Sequence, residues 1–188
     1  EILYRPKIFI LQFSYDTEKI IDKIYKYSDL YKENEFSKDG HKGVYQSEHN
    51  LEKETAFMDV YKSLEFYINT KLQDYTNHRK LGIDKLWFVI TKKSGIIKKH
   101  SHFNSDFSGA FYLKVDENVK NNNGLRIYNT GEEIEIYKYS EFEGKFIKSI
   151  CRDSNFLLKP NKMDLIIFNS YIEHSVENED SKIIDRIS

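Results

Sequence analysis

Residues 100–113 read HSHFNSDFSGAFYL and combine two histidines, separated by one residue, with a strand-like run rich in aromatic and small side chains. In an extended strand, side chains two positions apart point to the same side. His100 and His102 can therefore direct both imidazoles toward one metal ion. The run that follows predicts a strand on which Ser108 and Tyr112 share a face. This stretch indicates a β-structure with a metal site next to a strand.

A third metal ligand has to come from elsewhere in the chain. Residues 158–176, LKPNKMDLIIFNSYIEHSV, contain a Pro-led turn, an apolar strand and then His174. Imidazoles are common ligands of iron and of other transition metals. Asp106 is the nearest carboxylate to His102, and it stays open as a ligand or as an acceptor for an imidazole N–H. We interpret the remaining histidines as ordinary surface or core residues: His41, His49 and His78.

These two stretches and the closing Arg-Ile-Ser resemble the phage and bacterial family of 2-oxoglutarate/Fe(II)-dependent oxygenases. The family carries a His-x-His, a Ser-Gly before an aromatic strand, a Pro-led turn into an apolar strand, a distal His and a distal Arg. The order and spacing of these motifs carry the resemblance, because each motif alone is weak. The resemblance implies an enzyme that uses Fe(II), 2-oxoglutarate and O2, most simply a hydroxylase of an unidentified substrate.

By this resemblance, His100, His102 and His174 hold the iron. Most oxygenases of the class use two histidines and one carboxylate, and His102 stands where they carry Asp or Glu. Three neutral ligands leave the metal as a local dication, which the dianionic co-substrate would neutralise. The departure leaves the third ligand open between His102 and Asp106.

Arg186 and Ser188 are expected to share one face of a final strand. A guanidinium offers a planar fork to a carboxylate, and the hydroxyl adds one more donor. The pair can thus hold the distal carboxylate of 2-oxoglutarate. A surface ion pair of Arg186 with Asp185 or Glu179 is the alternative.

Three further residues are candidates for the walls of the site. The phenol of Tyr112 can hydrogen-bond the co-substrate, and packing explains this residue equally well. Asn104 falls in the loop after His102, either at the mouth of the site or simply in a turn. Arg126 shares a strand face with Tyr128 and is a candidate substrate contact.

Helices come before strands in the predicted order of elements. A β-prone run at 7–13 precedes a helix capped by Ser14 or Asp16, and a second helix runs from Phe57 toward a stop at Gly82. Short apolar runs then predict strands: 87–91, 108–115, 125–128, 133–139, 156–158, 165–168 and 183–187.

This order predicts a mainly β fold with supporting N-terminal helices (α+β), built as a cupin-like double-stranded β-helix or jelly roll. We expect one oxygenase domain over 1–188. Its helical support region covers 1–84, and its jelly-roll core with the metal site covers 85–188.

Composition argues against several classes of partner. Lys+Arg 29 and Asp+Glu 30 nearly balance, so no strong field favours nucleic acid or an anionic membrane. No apolar run approaches the roughly 20 residues that a membrane-spanning helix needs. The single cysteine fits a reducing compartment, and the resemblance implies the cytoplasm of a bacterium or of a phage-infected cell. The second helix is rich in Tyr and Phe and suits a homodimer contact as well as a core.

Two other functions stay open. A cupin-like metalloenzyme would use three histidines without 2-oxoglutarate, and Arg186 would then be dispensable for turnover. A non-catalytic jelly-roll binding module would need neither metal nor co-substrate. Unrelated functions share this fold, so the site has to distinguish them.

Overall fold

The computed structural model describes residues 5–30, 42–48, 50–116, 124–129, 131, 133–177 and 185–188. Within these ranges the helices are α1 (Thr17–Leu30) and α2 (Met58–Leu72), and single 3-10 turns lie at Leu51–Lys53 and Thr55–Phe57. The strands are β1 (Lys7–Gln12), β2 (Lys42–Gln46), β3 (Val89–His100), β4 (Phe107–Phe111), β5 (Gly124–Tyr128), β6 (Ile134–Ser140), β7 (Lys145–Cys151), β8 (Asn155–Leu158), β9 (Asp164–Asn169), β10 (Glu173–Glu177) and β11 (Asp185–Ile187).

The strands form two sheets. Sheet A has the order β4-β9-β1-β6-β7, and sheet B has the order β11-β3-β10-β5-β8 with β2 also paired to β3. The pair β1–β6 is parallel, whereas β1–β9 and β4–β9 are antiparallel. This mainly β, jelly-roll-like architecture with N-terminal helices confirms the predicted fold class.

The inner core lies between the two sheets. Ile8 and Ile166 of sheet A pack in one cluster with Leu125 and Ile127 of sheet B, and none of the four is more than 2% exposed. Successive residues of β1 alternate between this inner core and an outer one, because side chains of a strand point to opposite faces. Strand β9 is buried at every position, which is why its sequence reads as a continuous apolar run.

The outer core lies where the helices cover sheet A. Ile24 of α1 and Leu64 of α2 pack in the same cluster as Phe9 and Ile167. Of the two predicted caps of α1, Asp16 is the one whose carboxylate accepts a hydrogen bond from the Lys19 backbone N–H, at 3.3 Å.

The predicted end of the second helix at Gly82 is wrong, because α2 ends at Leu72. The chain then turns through Asn77 and His78, which both have positive φ angles, 52° and 58°, and Asn and His tolerate this conformation better than most residues. Tyr75 therefore lies outside the helix, and its ring packs against Phe9 at 5.1 Å. Its helical spacing from Leu72 therefore does not indicate a shared helix.

The first 84 residues contribute strands as well as helices. Strand β1 lies in sheet A between β6 and β9, and β2 pairs with β3 in sheet B. Strands β2, β7 and β10 were not predicted, and β3 is longer than the predicted 87–91. His78 is exposed as expected, whereas His41 and His49 lie outside the described residues. Neither described helix has the length and apolarity that crossing a membrane requires.

Candidate metal centre

Three histidines meet beside sheet B. His100 ends β3, His174 lies in β10, and His102 lies in the loop that follows β3. Their potential ligand atoms all lie within 4.8 Å of one another. The ring centroids are 5.1 Å apart for His100 and His102, 4.3 Å for His100 and His174, and 5.3 Å for His102 and His174. Such a group is compact enough to share one metal ion.

An irregularity in β3 brings two of these histidines face to face. His174 pairs with His100 while Val176 pairs with Ile97, so three steps along β3 match two steps along β10. An extra residue of this kind is a β-bulge, which redirects side chains and is common next to active sites. A regular ladder from Ile97 would have placed Lys99 opposite His174.

Hydrogen bonds to backbone carbonyls orient two of the rings. His100 Nδ1 lies 2.8 Å from the Lys98 carbonyl oxygen, and His174 Nδ1 lies 3.0 Å from that of Ile172. Because a carbonyl only accepts, Nδ1 is the donor in both rings. In the neutral form the Nε2 lone pair of each ring is then available for a metal.

His174 is only 5% exposed. Burial lowers the pKa of His174 to about 4; the hydrogen bond to Ile172 opposes this effect, and repulsion from His100 and His102 adds to it. The ring is therefore neutral at pH 7, and it can bind a metal ion without first losing a proton.

Arg186 is a buried cation. It is 5% exposed, and its guanidinium carbon lies 5.1 Å from the ring centroid of Tyr112, a residue that is 1% exposed. Burial lowers the pKa of Arg186, and the charge and hydrogen bond of Tyr112 oppose that effect. An arginine remains charged under these conditions.

Arg186 has no counter-charge in the part of the chain that the structure describes. The adjacent Asp185 accepts a hydrogen bond from the Tyr25 hydroxyl of α1 at 2.9 Å, so the alternative of a surface ion pair with Asp185 is not found. Glu179 lies outside the described residues. Arg186 Nε is buried and has no hydrogen-bond partner. A buried cation with an unpaired donor is unfavourable unless a ligand completes it.

Ser188 continues the strand that carries Arg186. Its backbone exchanges two hydrogen bonds with Val89, of 2.7 and 3.1 Å, whereas the intervening Ile187 is fully buried in the outer core. Arg186 and Ser188 both line the same cavity.

Tyr112 directly follows β4, lies beside the guanidinium and packs in the inner core. Burial raises the pKa of the Tyr112 phenol, Arg186 lowers it, and Asp164 raises it. The net result is a pKa above the ordinary value, so the phenol keeps its proton at neutral pH and remains able to donate.

One cavity of about 950 Å³ connects these groups. Its walls include the candidate residues of both kinds, metal-binding and carboxylate-binding: His100, His102, His174, Tyr112, Arg186 and Ser188. Asn104 and Asp106 also line it and are exposed. Asp106 is not part of the group of potential ligands that the described residues form.

Arg126, the candidate substrate contact, is absent from the cavity wall; its guanidinium donates to Asn155 at 3.3 Å. Trp87 lines the cavity and lies 6.1 Å from His102 between ring centroids. The sequence does not single out Trp87, because a tryptophan before an apolar strand is equally typical of a core residue.

Comparison with known proteins agrees with this geometry. A family model described as "Putative 2OG-Fe(II) oxygenase" matches residues 85–188, which is more than half of the chain. No curated protein matches the sequence.

Proposed function

The chain belongs to the putative 2OG-Fe(II) oxygenase family, and from this premise we propose that it is an Fe(II)- and 2-oxoglutarate-dependent dioxygenase that hydroxylates its substrate. His100, His102 and His174 would hold the iron, and Arg186 would hold the far carboxylate of 2-oxoglutarate. The single domain would act in the cytoplasm.

The buried guanidinium of Arg186 is the observation that carries this proposal. A protein rarely buries a cation without pairing it, because desolvation costs several kcal/mol per ion. Here the cation lines the same cavity as the three histidines and keeps a buried Nε without a partner. A carboxylate ligand would supply both the missing charge and the missing acceptor.

The histidine group fits the metal that the family implies. Three nitrogen ligands within 4.8 Å suit a divalent first-row transition ion and leave positions open for other ligands. Fe(II) bound there would supply the activation of O2 that is coupled to the oxidative decarboxylation of 2-oxoglutarate.

The chain's own groups then have separate tasks. The Nδ1 hydrogen bonds fix the ring orientations of His100 and His174. Arg186 and Ser188 would bind the distal carboxylate, and Tyr112 would support the guanidinium and donate a hydrogen bond to a carboxylate oxygen. Apolar neighbours such as Val176 and Phe168 line the same cavity and reduce access of water.

The proposal is tested by anaerobic titration of the Fe(II)-loaded protein with 2-oxoglutarate. The expected result is a visible metal-to-ligand charge-transfer band that saturates in the wild type. Arg186→Met should need at least about 30-fold more 2-oxoglutarate, because a buried charge partner is worth about 2–5 kcal/mol. Arg152→Met is the matched control, since Arg152 forms a surface ion pair with Glu133 on sheet A.

Each other outcome favours a different function. If iron binds but no band develops at any 2-oxoglutarate concentration, the oxygenase proposal fails and a cupin-like metalloenzyme takes its place. If iron does not bind, a non-catalytic jelly-roll module is the better account.

A further inference from the structure

Ser170 is a buried serine between β9 and β10, and it forms several hydrogen bonds to one segment of the chain, residues 102–108. It is 1% exposed, and its hydroxyl lies 2.9 Å from the hydroxyl of Ser105 and 2.8 Å from that of Ser108. A hydroxyl has one proton and two lone pairs, so it can satisfy both neighbours at once.

The backbone of Ser170 is bonded to the same segment. The His102 N–H donates to the Ser170 carbonyl at 2.9 Å, and the Ser170 N–H donates to the Asp106 carbonyl at 3.1 Å. Four hydrogen bonds therefore join one buried residue to residues 102–108, across more than 60 positions of sequence. This segment contains His102.

The three histidines differ in how their backbones are held. His100 and His174 belong to paired strands whose register fixes them. His102 lies after the end of β3, in a loop that also contains the exposed residues Phe103 and Asn104. No strand register constrains its backbone, so contacts from outside the loop have to do so.

We propose that Ser170 is the positioning residue of His102. Its hydroxyl connects Ser105 of the loop to Ser108 of β4, and its backbone carbonyl accepts from the N–H of His102 itself. The inference rests on the proposed function, because it requires that His102 bind the metal. Outer contacts that orient ligands typically change metal affinity about 10- to 100-fold. Replacing Ser170 with alanine removes its hydroxyl contacts and keeps its two backbone hydrogen bonds. We therefore expect a loss of metal affinity at the lower end of this range, about 10-fold.

The test measures Co(II) binding to the metal-free protein by calorimetry and by the visible spectrum of the bound ion, so it needs no turnover. Ser170→Ala should weaken Co(II) binding about 10-fold and alter the spectrum. Ser47→Ala is the matched control. Ser47 is 5% exposed, and its hydroxyl accepts from the Phe88 N–H at 3.0 Å and donates to the Glu48 carbonyl at 3.2 Å. Ser47→Ala should lower the melting temperature about as much as Ser170→Ala does, and it should leave the Co(II) affinity unchanged.

A double-mutant cycle distinguishes positioning of His102 from a general loosening of the site. In a His102→Ala background, adding Ser170→Ala should produce no further loss of Co(II) affinity, because the ligand that Ser170 positions is already gone. If the two losses instead add in full, Ser170 acts on another part of the site and the inference is overturned.

The remaining outcomes separate this inference from the proposed function. A wild-type protein that binds no Co(II) overturns both. A wild type that binds Co(II), with Ser170→Ala unchanged in affinity and spectrum, overturns only the role of Ser170. If Ser170→Ala does not fold, Ser105→Ala replaces it, since it removes one of the two hydroxyl contacts from an exposed position. A smaller loss of affinity then supports the inference, and no loss contradicts it.

Discussion

Replacing Arg186 with methionine should weaken co-substrate binding and at the same time stabilise the ligand-free protein. Arg186 is 5% exposed, Tyr112 is its neighbour, and no carboxylate among the described residues pairs with it. The ligand-free fold therefore bears the desolvation of a cation. Methionine has a similar length and no charge, so it fills most of the space without that penalty.

The size of this stabilisation follows from the burial of Arg186 and from its contact with Tyr112. Replacing buried charged groups by apolar ones of similar volume commonly stabilises a protein by about 1–4 kcal/mol. The contact of the guanidinium with the Tyr112 ring offsets part of the penalty, so we expect a stabilisation in the lower half of this range, about 1–2 kcal/mol. In a domain of this size, that gain corresponds to a rise in melting temperature of about 2–8 °C.

Thermal unfolding of the metal-free wild type, Arg186→Met and the surface control Arg152→Met measures this directly. The control should stay near the wild type, because an exposed ion pair contributes little. Adding Fe(II) with 2-oxoglutarate should then stabilise the wild type much more than Arg186→Met, since only a ligand that binds the folded state raises its stability. A clear drop in the melting temperature of metal-free Arg186→Met would refute the reasoning, because it would show that the guanidinium already has a stabilising partner in the free protein.

Two other predictions concern the ligand set and the packing of α1 on β11. His102→Ala should weaken Co(II) binding by more than the roughly 10- to 100-fold loss that follows when a residue contacting a ligand is changed, whereas His102→Asp should retain binding because a carboxylate replaces the imidazole. Calorimetry measures both affinities, with the exposed His78→Ala as the control. Equal affinities of the wild type and His102→Ala would exclude His102 as a ligand. Tyr25→Phe removes the hydrogen bond to Asp185 and should cost about 1 kcal/mol at neutral pH, measured by urea unfolding. Burial, together with the hydrogen bond and charge of Asp185, raises the pKa of Tyr25 to about 12 from 10.0. The fold therefore favours the neutral phenol. The contribution of Tyr25 to the free energy of unfolding is complete below pH 10 and is lost as the pH rises toward 12. Tyr25→Phe should accordingly flatten the decline of the unfolding free energy at alkaline pH. An unchanged slope would contradict the role of this phenol.

The candidate site could be predicted largely because its signals are local. The one-residue spacing of His100 and His102 and the apolar strand before His174 are readable in short windows of sequence. Arg186 is readable for the same reason, since the final strand places it and Ser188 on one face. What the sequence does not show is that Arg186 is buried without a carboxylate, because that depends on where Asp185 and Tyr25 meet in three dimensions.

The parts of the fold that were missed depend on non-local pairing. Strand β1 reads as an apolar run, but nothing local indicates that it lies between β6 and β9. Strand β10 buries the polar residues His174 and Ser175 beside each other, so its sequence lacks the alternation of apolar and polar residues that indicates a strand. Strand β7 is at the edge of sheet A, and its Ile147 and Ile150 are 50% and 41% exposed, which obscures the usual alternation of buried and exposed residues.

Ser170 shows the same limit at the level of a single residue. A serine that follows an apolar strand is typical of a turn, and its partners Ser105 and Ser108 are equally ordinary. Only the pairing of β4 with β9, in which Ser108 faces Phe168 and Phe107 faces Asn169, brings the three hydroxyls together. Positioning residues of this kind are therefore found in structures and not in motifs.

The site as a whole is built to receive negative charge. Its candidate metal ligands are three imidazoles, its wall includes the buried cation of Arg186, and Asp106 is exposed and lies outside the group of candidate ligands. Under the proposed function, the dianionic co-substrate would supply the charge that a protein carboxylate supplies in most oxygenases. Metal and 2-oxoglutarate would then each raise the affinity of the site for the other, since binding free energies are reciprocal. Under this proposal, the charge of the site depends on His102 and Arg186 together. An aspartate at position 102 would retain the metal, but it would weaken the coupling between metal binding and 2-oxoglutarate binding.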